Sequence, residues 1–186
     1  MRIYRVRSDT SYASITCDSA RDSTDIRRLA AEPIDNFISP AFSVACPRKP
    51  IGNFIHVDDT SLVFDEKAAD VFGDFIEAAG QLLPLRIEGS GSWYLLNTLE
   101  NCNPVDSSDS DDHTTDWELL LEPGRLAFRE RRVASFSSLF KIPELRYLPV
   151  LTVTKGKDQE HDFFETYHEH ELTGLIFDEL WRSTSG

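Results

Sequence analysis

Three histidines near the C-terminal end of the sequence are the first residues whose types could do chemistry. On a helix, His161 and His168 would share one face with Glu165 between them, and His170 follows closely. Imidazole and carboxylate groups that converge in this way can bind zinc. The first two histidines are seven positions apart, however, whereas the zinc motif H-E-x-x-H needs four. A solvated amphipathic helix is therefore the preferred interpretation, and a metal-dependent hydrolase that uses His161, His168 and His170 is the alternative.

The other sequence patterns of catalysis are missing. The Gly-Ser turn that begins at Gly89 is not followed by a lysine, so it is not a phosphate-binding loop. No G-x-S-x-G nucleophile elbow occurs, and nothing in the sequence pairs Cys46 with a histidine. The run DSSDSDD lacks the glycine and the closing glutamate of a calcium loop. We therefore expect no catalytic residue, no metal and no cofactor, and a binding protein rather than an enzyme.

The negative charge of the chain is large and unevenly distributed. The formal net charge is −13 at pH 7. Between Lys67 and Arg125 the only base is Arg86, against twelve acids. Nucleic acids and anionic membranes repel such a chain, so the charge favours a basic protein partner, with a solvated acidic face as the alternative.

The stretch from Glu100 to Glu122 concentrates this charge, with eight acids and no lysine or arginine. A cationic partner would relieve the repulsion among these acids, and Trp117 could anchor the contact. In the alternative interpretation the loop binds nothing and Trp117 belongs to the core. The candidate partner-binding residues are Asp106, Asp109, Asp111, Asp112, Asp116, Trp117 and Glu118.

The cysteines and the N-terminus bear on the compartment. Cys17, Cys46 and Cys102 are widely spaced and form no C-x-x-C pair, so we expect reduced thiols. The N-terminal run MRIYRVRSDTSY lacks the apolar centre of a secretory signal, and no stretch of 18 apolar residues occurs. The sequence therefore predicts a cytoplasmic protein without a membrane span, and a partner that is neither nucleic acid nor membrane.

One helix stands out among the elements that must position these groups. Apolar residues recur at helical spacing from Phe64 to Ala79 and include Val71, Phe72, Phe75 and Ile76. Asp65 suits the N-cap, and Gly80 suits the end of the helix. We therefore predict a helix from about Asp65 to Ala79 whose apolar side lies on a sheet.

Strand patterns fill most of the remaining chain. RIYRVRS begins it, a hairpin surrounds the Gly-Ser turn, and another strand pair is predicted around Pro123-Gly124. Shorter helices are predicted in SARDSTDIRRLAAEP and DQEHDFFETYHEHE. In the final strand, Leu175, Phe177 and Leu180 are expected to face inward, with Gly174 at the turn before them. The elements do not alternate regularly, which predicts a single α+β domain over residues 1–186 with a mixed, mainly antiparallel sheet.

Four segments match, in order, the motifs of one bacterial family. LVFDEKAADVF resembles its strand-to-helix junction, and the hairpin with Tyr94, Asn97 and Asp106 resembles the element that follows. SSLFKIPEL is similar to its Leu-Phe-Arg/Lys-Ile/Leu-Pro segment, and ELTGLIFDEL is similar to its terminal Leu-Thr-Gly-Leu/x-Phe signature. The resemblance, which covers residues 30–181 and only loosely residues 1–30, is to the Imm11 immunity proteins, first described as a domain of unknown function.

The resemblance implies a role rather than a reaction. Imm11-type proteins are thought to bind and neutralise a cognate toxin in bacterial competition, by covering its active site or blocking its activation. The resemblance brings no catalytic residues and is not tied to one toxin activity. Taken with the acidic charge of this chain, it favours a toxin with a basic surface, which could be a nuclease. A general adaptor or regulatory binding protein is a further alternative.

Overall fold

The computed structural model of the protein describes residues 1–17, 32–57, 60–106, 121–134, 137–145, 149–155 and 162–183. Among the helices of these ranges, none has the length and apolar character needed to cross a membrane. The strands are β1 Arg2–Ser8, β2 Ile15–Cys17, β3 Ala41–Val44, β4 Phe54–Ile55, β5 Leu62–Asp65, β6 Gly80–Ile87, β7 Trp93–Thr98, β8 Leu139–Phe140, β9 Leu151–Thr154 and β10 Leu175–Arg182. The helices are α1 Glu66–Ala79, α2 Glu130–Val133 and α3 Phe163–Glu169.

The strands form two sheets. A four-stranded antiparallel sheet has the order β10-β1-β9-β8, and a six-stranded sheet has the order β2-β3-β6-β7-β5-β4. In the six-stranded sheet β3 and β6 pair in parallel, and the other neighbours are antiparallel. The predicted α+β class with mainly antiparallel pairing is confirmed, although the strands divide between two sheets.

The six-stranded sheet curls until its two edge strands meet. Ser14, just before β2, bridges His56, just after β4, and the Ile15 N–H donates to the His56 carbonyl at 2.8 Å. One buried cluster draws side chains from all six strands, as expected for the interior of a barrel. Its buried members are Ala13, Ile15, Phe42, Ile55, Val63, Leu83, Leu85, Ile87, Trp93 and Leu95.

A second cluster lies between the two sheets and is built around α1 and α3. Phe72 of α1 stacks on Phe163 of α3 with ring centroids 4.7 Å apart, and Phe54 of β4 contacts both rings. The four-stranded sheet contributes Leu175 and Val6 to the same cluster. The apolar side of α1 is therefore buried as predicted, in a core that both sheets share.

The ends of α1 also follow the sequence prediction, but its middle does not. The Asp65 side chain accepts a hydrogen bond from the Ala68 N–H at 2.9 Å, and Gly80 follows the last helical residue. Gly73 interrupts the helix with φ +40° and ψ −128°. Glycine adopts the positive φ at this kink at little steric cost. Phe64, which was counted in the helical pattern, is instead the third residue of β5.

The final strand corrects one prediction. Ile3 pairs with Trp181 and Tyr4 pairs with Glu179, so Leu180 is the extra residue of a β-bulge. Leu180 is buried in a third cluster, on the other face of the four-stranded sheet. Leu175 and Phe177 contact the core between the sheets, so the prediction that Leu180 faces the same interior was wrong.

The strand pair predicted around Pro123-Gly124 lies only partly within the described ranges. The turn exists, with Gly124 at φ +78°, and the Gly124 N–H donates to the Leu180 carbonyl at 3.0 Å. Beyond it, Phe128 makes a single antiparallel bridge with Val105, and most of the strand predicted before the turn lies outside the described residues. Residues 107–120 lie outside the described ranges, as does most of the helix predicted in SARDSTDIRRLAAEP.

The core between the sheets gives a stability prediction. Phe72→Ala removes a buried ring that contacts Phe54 and Phe163, so we expect a loss of about 3–5 kcal/mol in the free energy of unfolding. Phe177 is half-buried, and Phe177→Ala should cost less. Urea denaturation measures both. Ile38→Ala, at a side chain 87% exposed, is the control and should change stability by less than about 0.5 kcal/mol. An unchanged midpoint for Phe72→Ala would contradict this description of the core.

Candidate functional site

The carboxylate at the start of α3 has a structural task. Asp162 is 3% exposed and caps the helix, accepting from the Phe164 N–H at 3.1 Å and the Glu165 N–H at 3.2 Å. Its other oxygen accepts from the Lys155 N–H at 3.3 Å. Both oxygens of Asp162 are thereby occupied by backbone donors, which orient the carboxylate towards the chain.

Two of the three histidines that could have formed a metal site lie within the described residues. His168 is exposed, and its ring contacts the Phe164 and Phe177 rings at centroid distances of 4.5 and 5.6 Å. His170 is exposed at the end of α3, and His161 lies outside the described residues. Within the described ranges, no three His, Cys, Asp or Glu side chains are arranged to hold a metal ion.

The aromatic contacts of His168 belong to a row of rings that the sequence did not reveal. Tyr4 of β1 stacks on Phe164 at 4.5 Å with an interplanar angle of 2°, and Phe164 meets His168 edge-on. Phe177 of β10 lies against Phe164 at 5.1 Å. The i, i+4 spacing of Phe164 and His168 was the only local signal, because Tyr4 and Phe177 come from the opposite ends of the chain.

Of the seven candidate partner-binding residues, one lies within the described ranges. Asp106 is half-buried, and it forms an ion pair with Arg129 at 3.6 Å. Its N–H donates to the Ala127 carbonyl at 2.8 Å. The structure thus gives Asp106 a local cationic neighbour. The remaining candidates lie outside the described residues, and their role stays a prediction: Asp109, Asp111, Asp112, Asp116, Trp117 and Glu118.

A second group of acids lies on the solvent side of α1. Glu66, Asp70 and Glu77 are exposed there, together with the single base Lys67. The opposite side of the helix is buried in the core between the sheets. The carboxylates are therefore presented by a helix whose position is set by packing, so a partner that binds them need not order the helix backbone.

One hydrogen-bonded junction connects distant parts of the chain. The Asn53 side chain donates to the Asp65 carboxylate at 2.9 Å and accepts from the Thr173 N–H at 3.2 Å. The Thr173 hydroxyl donates to the side-chain oxygen of Asn53 and accepts from the Asn53 backbone N–H, both at 3.2 Å. The Phe54 N–H donates to the Thr173 carbonyl at 2.9 Å. The start of α1 and the approach to β10 are thereby fixed to one another.

The next residue, Gly174, completes this junction. Its φ is +103°, and a Cβ placed on it would lie 2.1 Å from the Phe54 carbonyl oxygen. Only glycine permits this approach. Asp65 and the Thr173-Gly174 pair come from two segments that resemble the immunity family, so the structure explains these motif residues by packing and hydrogen bonding.

The cysteines are free thiols. Cys102 is half-buried, and burial, together with the nearby charges of Glu100 and Glu144, raises the pKa of its thiol to about 12. Nucleophilic chemistry requires the thiolate. Cys102 is therefore held in its unreactive form at neutral pH.

A surface groove formed by described residues could also accept a ligand. It has a volume of about 390 Å³ and lies between β6 and the segment that precedes β3. The exposed Arg86 borders it, and so does Ile38, which is 87% exposed. The sequence showed Arg86 as an isolated base, but nothing in it indicated that Ile38 would face solvent.

Comparison of this chain with protein-family models and with curated proteins gives no match. The resemblance to the Imm11 family thus depends on its motifs. The structure adds the position of those motifs in the fold, the placement of the charges and the geometry of the surface.

The junction at Gly174 predicts a large glycine effect. Gly174→Ala forces a Cβ against the Phe54 carbonyl. The free energy of unfolding should therefore fall by more than the roughly 1–2 kcal/mol that a left-handed backbone costs by itself. Gly124→Ala is the matched control, because Gly124 also has positive φ but no atom within 4 Å of the added Cβ. Thermal unfolding of the two variants decides the matter. Equal losses would mean that the contact with Phe54 adds nothing.

The raised pKa of Cys102 predicts slow alkylation. In the double variant Cys17→Ser/Cys46→Ser, Cys102 is the one remaining thiol. With a pKa of about 12, about one Cys102 thiol in a thousand is ionised at pH 9, so iodoacetamide should react at least about a hundredfold more slowly than in urea. Mass spectrometry follows the reaction. Equal rates in the folded and unfolded protein would contradict the assigned environment.

Proposed function

We propose that this protein is an immunity protein, which binds a cognate bacterial toxin and neutralises it by stoichiometric inhibition. The observation that carries the proposal is the distribution of charge. The net charge is −13, and the described acids Glu66, Asp70 and Glu77 face solvent from a helix that is fixed by its buried side. The resemblance to the Imm11 family supports the same role.

The partner that fits this surface is a protein with a basic patch, such as a nuclease toxin. Opposite charges steer association, which raises on-rates from about 10⁵–10⁶ to about 10⁸–10⁹ M⁻¹s⁻¹ at low salt. Fast capture suits an inhibitor that must act as soon as a toxin arrives. The rigid attachment of α1 adds to this, because little conformational entropy is lost when its outer side is covered.

Inhibition in this proposal is a binding event without a chemical step. The protein acts in the cytoplasm of the cell it protects and needs no cofactor. Its partner is the toxin protein, with neither nucleic acid nor membrane as a ligand. The acidic stretch from Glu100 to Glu122 and the outer side of α1 are the two surfaces proposed to face the toxin.

The test uses the protein encoded beside this chain as the candidate toxin. We expect co-expression of this protein to restore the growth of cells that express the candidate toxin. We expect the two purified proteins to form a stoichiometric complex in calorimetry. Stopped-flow kinetics then compare Glu66→Gln/Asp70→Asn/Glu77→Gln with Asp109→Asn/Asp111→Asn/Asp112→Asn/Asp116→Asn. A variant whose substituted acids lie at the interface should bind the toxin with an on-rate about tenfold lower at low salt, and the difference should be smaller at higher salt.

A control separates local charge from net charge. Asp35→Asn/Glu88→Gln/Glu171→Gln removes three acids that are exposed elsewhere, so it changes the net charge by as much as the α1 variant does. It should slow association much less. If it slows association equally, the acids of α1 are not at the interface. If the neighbouring protein neither binds nor kills, the proposed function is wrong.

A further inference from the structure

The segment before β3 runs beside β6 without joining it as a strand. The Gln81 side chain accepts from the Ile34 N–H at 2.8 Å and donates to the Ile34 carbonyl at 3.3 Å. Five residues further on, the Arg86 N–H donates to the Ser39 hydroxyl at 2.9 Å. Each of these contacts uses a side chain, so the two backbones are held further apart than in a strand ladder.

Proline explains why the ladder stops. The N–H groups of Arg86 and Glu88 both point towards the β3 side, where they donate to Ser39 and to the Phe42 carbonyl. Alternate residues of a strand point their backbone groups the same way, so Pro84 faces this side too and has no N–H to donate. Pro40 lacks a donor on the opposing segment. The edge of β6 therefore keeps the carbonyl of Pro84 and loses the donor that would continue the ladder.

The gap that results is the groove of about 390 Å³. Its lining is mainly apolar, with Phe37 partly buried against the barrel interior and Ile38 at the rim. Ile38 is 87% exposed, and in the described part of the chain the only other exposed large apolar side chain is Ile51, at 55%. An exposed apolar residue beside a groove is typical of a surface that a partner covers.

The one charged residue among those that line the groove is a base, whereas the protein as a whole is acidic. The Arg86 guanidinium is exposed, and it has no hydrogen bond or ion pair with any residue in the described ranges. A guanidinium pairs with a carboxylate through two parallel hydrogen bonds. Glu88 and Asp35 are also exposed in the chain around this groove, so a ligand with a single carboxylate fits better than one with a run of acids.

We propose that this groove binds an extended peptide segment of a partner protein, with one carboxylate on Arg86 and an apolar side chain against Ile38 and Phe37. The segment lies along the edge of β6, where the Pro84 carbonyl is available as an acceptor. We choose an extended segment because a strand whose backbone groups are unpaired on one side binds a peptide by hydrogen bonds to the backbone of that peptide. This inference does not depend on the toxin proposal, since any partner that carries such a segment would satisfy it.

The experiment selects short random peptides displayed on phage against the full-length protein. The recovered peptides should carry one Asp or Glu beside apolar residues. Fluorescence anisotropy then measures the affinity of a recovered peptide for the Arg86→Glu and Ile38→Ser variants. Each substitution should weaken binding by about tenfold or more. Arg48→Glu and Ile51→Ser replace an exposed arginine and an exposed isoleucine elsewhere, and they should bind as the unmodified protein does.

Several results would overturn the proposal. They are a selection that recovers no peptide above background, peptides without a carboxylate, and peptides that bind Arg86→Glu as well as the unmodified protein. Sedimentation tests the other occupant, a second copy of the chain: a dimer that Ile38→Ser abolishes would assign the groove to self-association and also overturn the proposal. Both substituted side chains are exposed, and circular dichroism verifies that each variant is folded. If Arg86→Glu does not fold, Arg86→Gln is used in its place.

Discussion

The stack of Phe72 on Phe163 is the contact on which the rest of the structure depends. It joins the two helices that lie between the sheets, and Phe54 brings the six-stranded sheet against both rings. Phe177 of the four-stranded sheet approaches Phe163 at 6.1 Å. Burial of aromatic rings contributes more free energy per residue than most contacts, and ring pairs add a directional preference. The position of α1 relative to both sheets therefore follows from this aromatic core, and with it the direction in which Glu66, Asp70 and Glu77 face.

The Asn53 junction complements the core by specifying alignment. Apolar contacts tolerate small shifts, whereas a hydrogen-bonded set at 2.9–3.2 Å does not. Asn53 connects the cap of α1 to Thr173, and Gly174 lets β10 begin against the Phe54 carbonyl. The strand is one of the two neighbours of β1, and its first residues close the core between the sheets.

The two proposed surfaces use opposite electrostatics on one scaffold. The acidic side of α1 would attract a basic partner over distances of about a Debye length, near 10 Å at moderate salt. The groove at Arg86 acts only at contact, through one guanidinium and the apolar rim at Ile38. Long-range attraction contributes speed and a shaped groove contributes selectivity. A partner that offered both a basic patch and an extended segment with one carboxylate could use the two surfaces together.

The sequence by itself determined the elements whose signals are local. The buried side of α1, its Asp65 cap, the turn glycines and the strand patterns follow from periods of 3.6 and 2 residues, which a short window contains. The acids of α1 were also visible, and Arg86 stood out as an isolated base. Only the tertiary structure decided how distant segments meet. The division into two sheets, the Ser14–His56 bridge, the contact of Asn53 with Thr173 and the bulge that turns Leu180 to the other face depend on pairings across many residues. The groove is decided in the same way, because Pro84 and Ile38 give no local signal of a binding site and become neighbours only when the fold places β6 beside the segment that precedes β3.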